Sequence, residues 1–326
     1  MRVGEPCPKS HSELEEHDGR TLQAPGHNCR RRCLGLQRPH QPGCDTAEAL
    51  ETWFAEHADV DLPARRYDFW GRYTPETPDR EQGRHEIIAT EQDTRLRFSW
   101  PLKGATTEVE YRLHPHDDTT ILTVTHTGCD TDNSAPCASE DFWFLVLENL
   151  RRHVEGRAVH SRFDFHTLNS KEDIRHKIEI DAPADVVFSK LVDPAELNRW
   201  IAYNAAVDPQ VGGTFDLGWG GGEEYTSKIL EIDPPNKFVY GFAGTQTVTW
   251  TLEGSSGKTR LLIVHSGFGP DTVPGERLGW LNFITWIGSM SEVGPSWQSP
   301  LCLVNKEYPT FYSRSLNDRQ SELLPA

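Results

Sequence analysis

The stretch VTWTLEGSSGKTRLLIVHSGF, Val248 to Phe268, decides the fold. Val248, Trp250 and Leu252 alternate with Thr247, Thr249 and Thr251, which is the two-residue period of a strand with one face on a core. Leu261, Ile263 and His265 form a second inward-facing stripe. Upstream, the stretches Thr214 to Trp219, Tyr225 to Ile232 and Lys237 to Phe242 also read as strands. Gly212-Gly213, Gly220-Gly221-Gly222 and Asp233-Pro234-Pro235 bound them as turn signals, so the segment is an antiparallel meander. Downstream, Trp280, Phe283, Ile284 and Ile287 recur at the spacing of a long amphipathic helix. Ahead of the meander, Lys177 to Ile180 reads as a strand. Pro183 to Leu191 reads as a short helix with proline at its first turn, and Pro194 to Trp200 as a second.

The same pattern occurs earlier in the chain. Leu50-x-x-Trp53 matches Leu197-x-x-Trp200, and Tyr67-Asp68 matches Phe215-Asp216. Val109, Tyr111 and Leu113 match Val248, Trp250 and Leu252, while Leu122, Val124, His126 and Gly128 match Leu261, Ile263, His265 and Gly267. Trp143, Val146, Leu147, Leu150 and Val154 supply the matching helix. An internal repeat of this length is the main organisational signal.

The order of strand, two short helices, meander and long helix resembles the START-like, or SRPBCC, superfamily. IEIDAPADVVFSKLVDPAELNRWI (Ile178 to Ile201), VGGTFDL (Val211 to Leu217), the opening stretch and GWLNFITWIGSM (Gly279 to Met290) resemble the heat-shock protein 90 ATPase activator homologues. The resemblance implies an α+β chain of two tandem helix-grip domains, each a curved antiparallel sheet wrapped around a long C-terminal helix. A complete domain is expected over 175–293 and a partial one over 46–164, with a linker at 165–174 and a tail at 294–326. Residues 1–45 show neither a strand nor a helix period. They are expected to be disordered or a misassigned start, leaving the first repeat without its opening strand and first helix. The complete repeat is expected to fold alone.

Composition narrows the functional classes. A chain of 326 residues suggests two domains, and 36% hydrophobic residues with 10 Trp suffice for packed cores. The net charge of -16 repels phosphate backbones, which argues against nucleic acid. No apolar run approaches a bilayer span and Met1 to Gln23 is polar, so a cytoplasmic protein without membrane contact is expected. Seven Cys, four of them before residue 45, form no disulfide framework.

A long helix across a curved sheet can enclose an apolar cavity. Trp200, Trp219, Tyr240, Phe242, Trp250, His265, Trp280, Phe283 and Trp286 are the candidate lining residues; each either fills the core or meets a ligand. His126 and His265 end equivalent stripes, where a neutral imidazole orients a ligand or simply caps a strand. No carboxylate pair, phosphate loop or nucleophile elbow is present, so no catalytic residue is assigned. His27, Cys29, Cys33, His40 and Cys44 are soft ligands in a spacing that fits no zinc pattern closely, so no metal or cofactor is expected. The leading reading is a binder of an apolar or aromatic small molecule, with the incomplete first repeat binding weakly or not at all. The resemblance keeps open a cochaperone-like module with a chaperone as partner, and a cyclase-like or natural-product resistance protein.

Overall fold

The computed structural model describes residues 30–36, 43–102, 104–116, 119–128, 140–202, 204–218, 227–242, 244–270 and 273–298. In the first repeat, strand β1 (Arg30–Leu36) is followed by helix α1 (Ala47–Trp53), strands β2 (His57–Asp61), β3 (Arg66–Trp70), β4 (Ile87–Glu91), β5 (Arg95–Leu102), β6 (Ala105–His116) and β7 (Thr119–Thr127), then the long helix α2 (Glu140–Val154). The second begins with β8 (Ile174–Ile180) and the short helices α3 (Ala184–Val192) and α4 (Pro194–Leu197). Strands β9 (Ala206–Val207), β10 (Thr214–Asp216), β11 (Ser227–Asp233), β12 (Lys237–Gly241), β13 (Thr247–Ser255) and β14 (Lys258–Ser266) follow, and α5 (Pro274–Val293) closes the repeat. These are the two helix-grip units in tandem.

The second repeat is one antiparallel sheet in the order β8-β14-β13-β12-β11-β10-β9. Its inward stripes are those of the sequence: Val248, Trp250 and Leu252 on β13 and Leu261, Ile263 and His265 on β14 are buried while their neighbours are not. Asp193 starts α4 by accepting a hydrogen bond from the Ala195 N–H at 2.8 Å, with Pro194 at the first helical position. In the first repeat the order is β1-β7-β6-β5-β4, with β2 and β3 as a separate hairpin.

One expectation is corrected. The first repeat does possess its opening strand: β1 pairs with β7 from Arg30 opposite His126 to Leu36 opposite Thr120. Its counterpart β8 pairs with β14 from Ile174 opposite His265 to Ile180 opposite Thr259. RRRCLGL carries no apolar alternation, so nothing local announces a strand; the open edge of β7 supplies the hydrogen-bonding partner. What the first repeat lacks among the described residues is a counterpart of α3.

The boundary between repeats is also tighter than expected. Ile174, placed in the linker, already belongs to β8, and Phe165–Thr167 forms a short 3-10 helix whose Phe165 ring lies 6.0 Å from Phe142. The long helices run parallel, side by side. Asn282 donates to Asp141 and Ser289 donates to Glu148 at 2.5 Å. Between those two rungs Phe144 meets Trp286 at 5.0 Å, and Arg152 ends the series on Glu292 at 2.6 Å. Contacts therefore advance together along both helices, and α5 is buried continuously from Arg277 to Ser291, one side on its own sheet and the other on α2. A second repeat expressed alone would expose that outer side.

The Arg152–Glu292 pair is 4% and 9% exposed, and Arg157 also reaches Glu292 at 3.3 Å. Removing one partner of a buried pair leaves the other desolvated and uncompensated, a cost of about 3 kcal/mol or more. Glu292→Gln is therefore expected to lower the urea unfolding midpoint of the full chain markedly. Glu179→Gln, which breaks the exposed pair with Arg260, is expected to leave it where it is.

Candidate functional site

The candidate residues of the second repeat divide into three groups. Trp200, Trp250, Trp280 and Phe283 form a closed set of edge-to-face rings, with centroids 6.5 Å (Trp200–Trp250), 5.6 Å (Trp200–Phe283), 5.8 Å (Trp250–Trp280) and 5.5 Å (Trp280–Phe283) apart. Such pairs are worth about 0.5–1.5 kcal/mol beyond the area they bury. Next to them, Phe242 lies 4.9 Å from the His265 ring and 6.3 Å from Trp280. Tyr240, two residues before Phe242, gathers instead with Phe215 at 4.4 Å and Phe238 at 5.4 Å, and burial pushes its phenol well above the ordinary range.

Two candidates fall elsewhere. Trp219 lies outside the described residues. Trp286 does not face the sheet of its own repeat: its ring meets Phe144 of the first repeat and Trp297, the latter at 5.7 Å. On α5 it is six residues from Trp280, so the helical period turns it to the α2 side.

At the centre is His265, fully buried. Its Nδ1 accepts a hydrogen bond from the Trp280 indole N–H at 2.7 Å, and its Nε2 has no partner among the described residues. Desolvation lowers its pKa to about 4, so the ring is neutral at pH 7. Phe268, which the sequence reading missed, closes one side at 4.4 Å. Phe242 and Phe268 are only half-buried, so His265 sits one ring below the surface.

The first repeat contains the same constellation. The Trp143 indole donates to His126 Nδ1 at 3.2 Å, but here Nε2 is 2.7 Å from the Thr107 hydroxyl, which in turn donates to the Trp100 carbonyl at 2.6 Å. Thr107 also escaped the sequence reading, although the repeat pairs it with Gln246. Strand register makes the other equivalences explicit. Phe98 stands opposite Val109, and Val109 opposite His126; likewise Tyr240 stands opposite Val248, and Val248 opposite His265. Trp100 is thus the counterpart of Phe242. It stacks on His126 at 5.8 Å, meets Phe54, Phe69 and Phe142, and is fully buried.

Glu196 holds Lys190 at 2.8 Å and Arg199 at 2.9 Å, and Glu223 and Glu224 lie outside the described residues. Cys44 sits in the apolar core of the first repeat, where burial pushes its thiol up and disfavours a thiolate ligand; His27, Cys29 and His40 lie outside the described residues. Among the described residues no group of three or more His, Cys, Asp or Glu is placed to hold a metal ion, and no helix is long and apolar enough to cross a membrane.

A curved antiparallel sheet gripping a long helix, made twice, with a tryptophan of each helix bonded to a histidine of the sheet, defines a tandem START-like protein. The model of the family described as "Activator of Hsp90 ATPase homolog 1-like protein" matches residues 46–155 and 181–287, and the chain belongs to that family. Among solved structures it is similar to the Aha1 dimer of Colwellia psychrerythraea (19% identity, 38% of this chain and 99% of that one, TM-score 0.35). It is also similar to CalU16 of Micromonospora echinospora (20%, 46% and 84%, 0.33). A third is an AHSA1-like protein of Rhizobium etli (22%, 42% and 95%, 0.33). A comparison with curated protein sequences finds no match.

Burial sets a pH dependence for the whole molecule. Desolvation lowers His85 to about 3 and His176 and His265 to about 4, and holds His160 well below its ordinary 6.5. These groups take up protons near pH 6.5 when unfolded but resist well below that when folded, His176 and His265 until about pH 4. Their contribution to stability is therefore complete above pH 6.5 and is lost as pH falls towards 4. The urea midpoint is expected to be lower at pH 5 than at pH 7, His176 and His265 each costing roughly 1–2 kcal/mol of unfolding free energy over that interval; equal midpoints would contradict the burial of these rings.

Proposed function

We propose that the chain binds a hydrophobic aromatic small molecule in the second repeat, against His265 and beneath Phe242 and Phe268, while the first repeat is its structural partner. The observation that carries this reading is the contrast between repeats. Where the first repeat has Trp100, Phe142, Phe54 and Phe69, the second has Phe242, Gly279, Ile201 and Leu217 at the equivalent positions. Of that smaller set, Phe242 lies against His265 and Gly279 adjoins Trp280 in the chain. One strand pair further along the exchange reverses, Trp250 and Phe283 replacing Tyr111 and Val146, which builds an aromatic floor there. Sites of this kind are apolar, aromatic and furnished with few polar groups, and His265 is the polar group here.

The first repeat was expected to bind weakly for want of its opening strand. A different reason supports the same ranking: β1 is in place, but Trp100 and Phe142 occupy the equivalent volume, 5.7 Å apart.

Titrating the full chain with hydrophobic dyes and planar aromatics, following tryptophan fluorescence, tests the reading. Saturable binding tighter than about 1 mM, or roughly −4 kcal/mol, is expected. Phe242→Trp, which installs the first repeat's residue, is expected to weaken it at least tenfold. Absence of binding across the panel, or affinity unchanged by Phe242→Trp, would remove the proposal.

A further inference from the structure

The two repeats hold the same indole–imidazole pair, and only one of them completes it. An indole N–H can only donate, so the 2.7 Å contact from Trp280 Nε1 obliges His265 Nδ1 to present a lone pair. The single proton of the neutral ring must then sit on Nε2. The geometry thus makes Nε2–H a donor and excludes the imidazolium form, whose second proton would meet the indole N–H head on.

In the first repeat the same logic puts the His126 proton on Nε2, and Thr107 receives it at 2.7 Å before passing its own hydroxyl proton to the Trp100 carbonyl at 2.6 Å. Every donor in that chain has an acceptor. In the second repeat Gln246 occupies the position of Thr107, its backbone bonded to Phe242 at 2.8 Å as Thr107 is paired with Trp100. Among the described residues no acceptor reaches His265 Nε2, which lies within a fully buried residue. A buried donor left unpaired is costly, and natural structures keep such groups where something else satisfies them.

We propose that His265 Nε2–H donates a hydrogen bond to the carbonyl oxygen of a neutral, planar aromatic ligand, such as an aryl ketone or quinone, packed against Phe242 and Phe268. The inference rests on the small-molecule reading above and narrows its ligand class. A pure hydrocarbon would leave the donor unpaired. A cation or an ammonium donor has nothing to give an N–H. An anion would lose its hydration without finding a positive charge on an imidazole that the indole contact keeps neutral.

9-Fluorenone and fluorene test this directly, because they share a planar tricycle and differ by a carbonyl in place of a methylene. Calorimetric titration of the full chain is expected to give fluorenone about tenfold higher affinity, the scale of one satisfied donor. That preference should vanish in His265→Phe. Since His265→Phe also deprives Trp280 of its acceptor, Gln246→Thr provides the second variant. It installs the first repeat's hydroxyl acceptor, and should lower fluorenone affinity to the level of fluorene while leaving fluorene binding unchanged and raising the unfolding midpoint, since the buried donor is then paired. In wild-type protein labelled with nitrogen-15 at histidine, the His265 Nε2–H resonance should move on adding fluorenone and stay in place with fluorene. Equal affinities for the two compounds, or a preference that survives both variants, would overturn the inference and leave the small-molecule reading standing. Failure of both compounds to bind the wild-type chain would overturn the two together.

Discussion

The hydrogen bond from a helix tryptophan to a sheet histidine, Trp280 to His265 and Trp143 to His126, is the constraint on which the rest of each repeat depends. A long apolar helix lying on a curved sheet has little to fix its rotation or its height, because dispersion contacts are non-directional. A single buried donor–acceptor pair fixes both. With the indole nitrogen held at the end of β14, the helical period places Phe283 over Trp200 and turns Trp286 outwards onto α2. The same bond decides the imidazole tautomer, and through it what the far nitrogen can recognise. Architecture and chemistry meet in one contact.

Duplication gives that contact two fates. In the first repeat a threonine takes the far proton and a tryptophan fills the space above the ring, so the core is closed with its histidine internally paired. In the second repeat glutamine and phenylalanine stand at those positions, and the proton is left without a partner beneath two half-buried rings. Packing favours the first arrangement, since it satisfies the donor and adds buried aromatic area. The second arrangement costs stability, and stability is commonly given up at sites that act.

Much of this was legible in the sequence. The alternating stripes on β13 and β14, the helical spacing of Trp280, Phe283 and Ile284, and the repeat itself are local patterns that survive tertiary context. The misreadings have physical causes. β1 is specified by the edge it pairs with, so RRRCLGL, lacking alternation, gave no sign of it. Trp286 was counted with the cavity because a helix buried on all sides shows apolar residues in every direction, and the period alone does not say which face meets which neighbour. His126 and His265 look identical in sequence, and their difference lies in Thr107 and Gln246. Aligning the repeats does place those two residues opposite each other. The hydroxyl-to-amide exchange gains meaning only once the Thr107 hydroxyl is seen on the His126 imidazole.

Two like domains in one chain need something that keeps the filled copy beside the other, and the parallel helix pair supplies it. Asp141, Glu148 and Arg152 on α2 meet Asn282, Ser289 and Glu292 on α5 at successive turns, with the Phe144–Trp286 contact between them. Polar pairs buried this way add little net stability over an apolar seam, but each is costly to leave unmatched, so together they fix the sliding register of one helix on the other. That register bears on the site. α5 carries Trp280 on its inner side and Trp286, Ser289 and Glu292 on its outer side, so displacement along α2 would shift the indole against His265 by the same amount. The first repeat can therefore set the geometry around His265 from a distance, by holding the helix that holds the histidine.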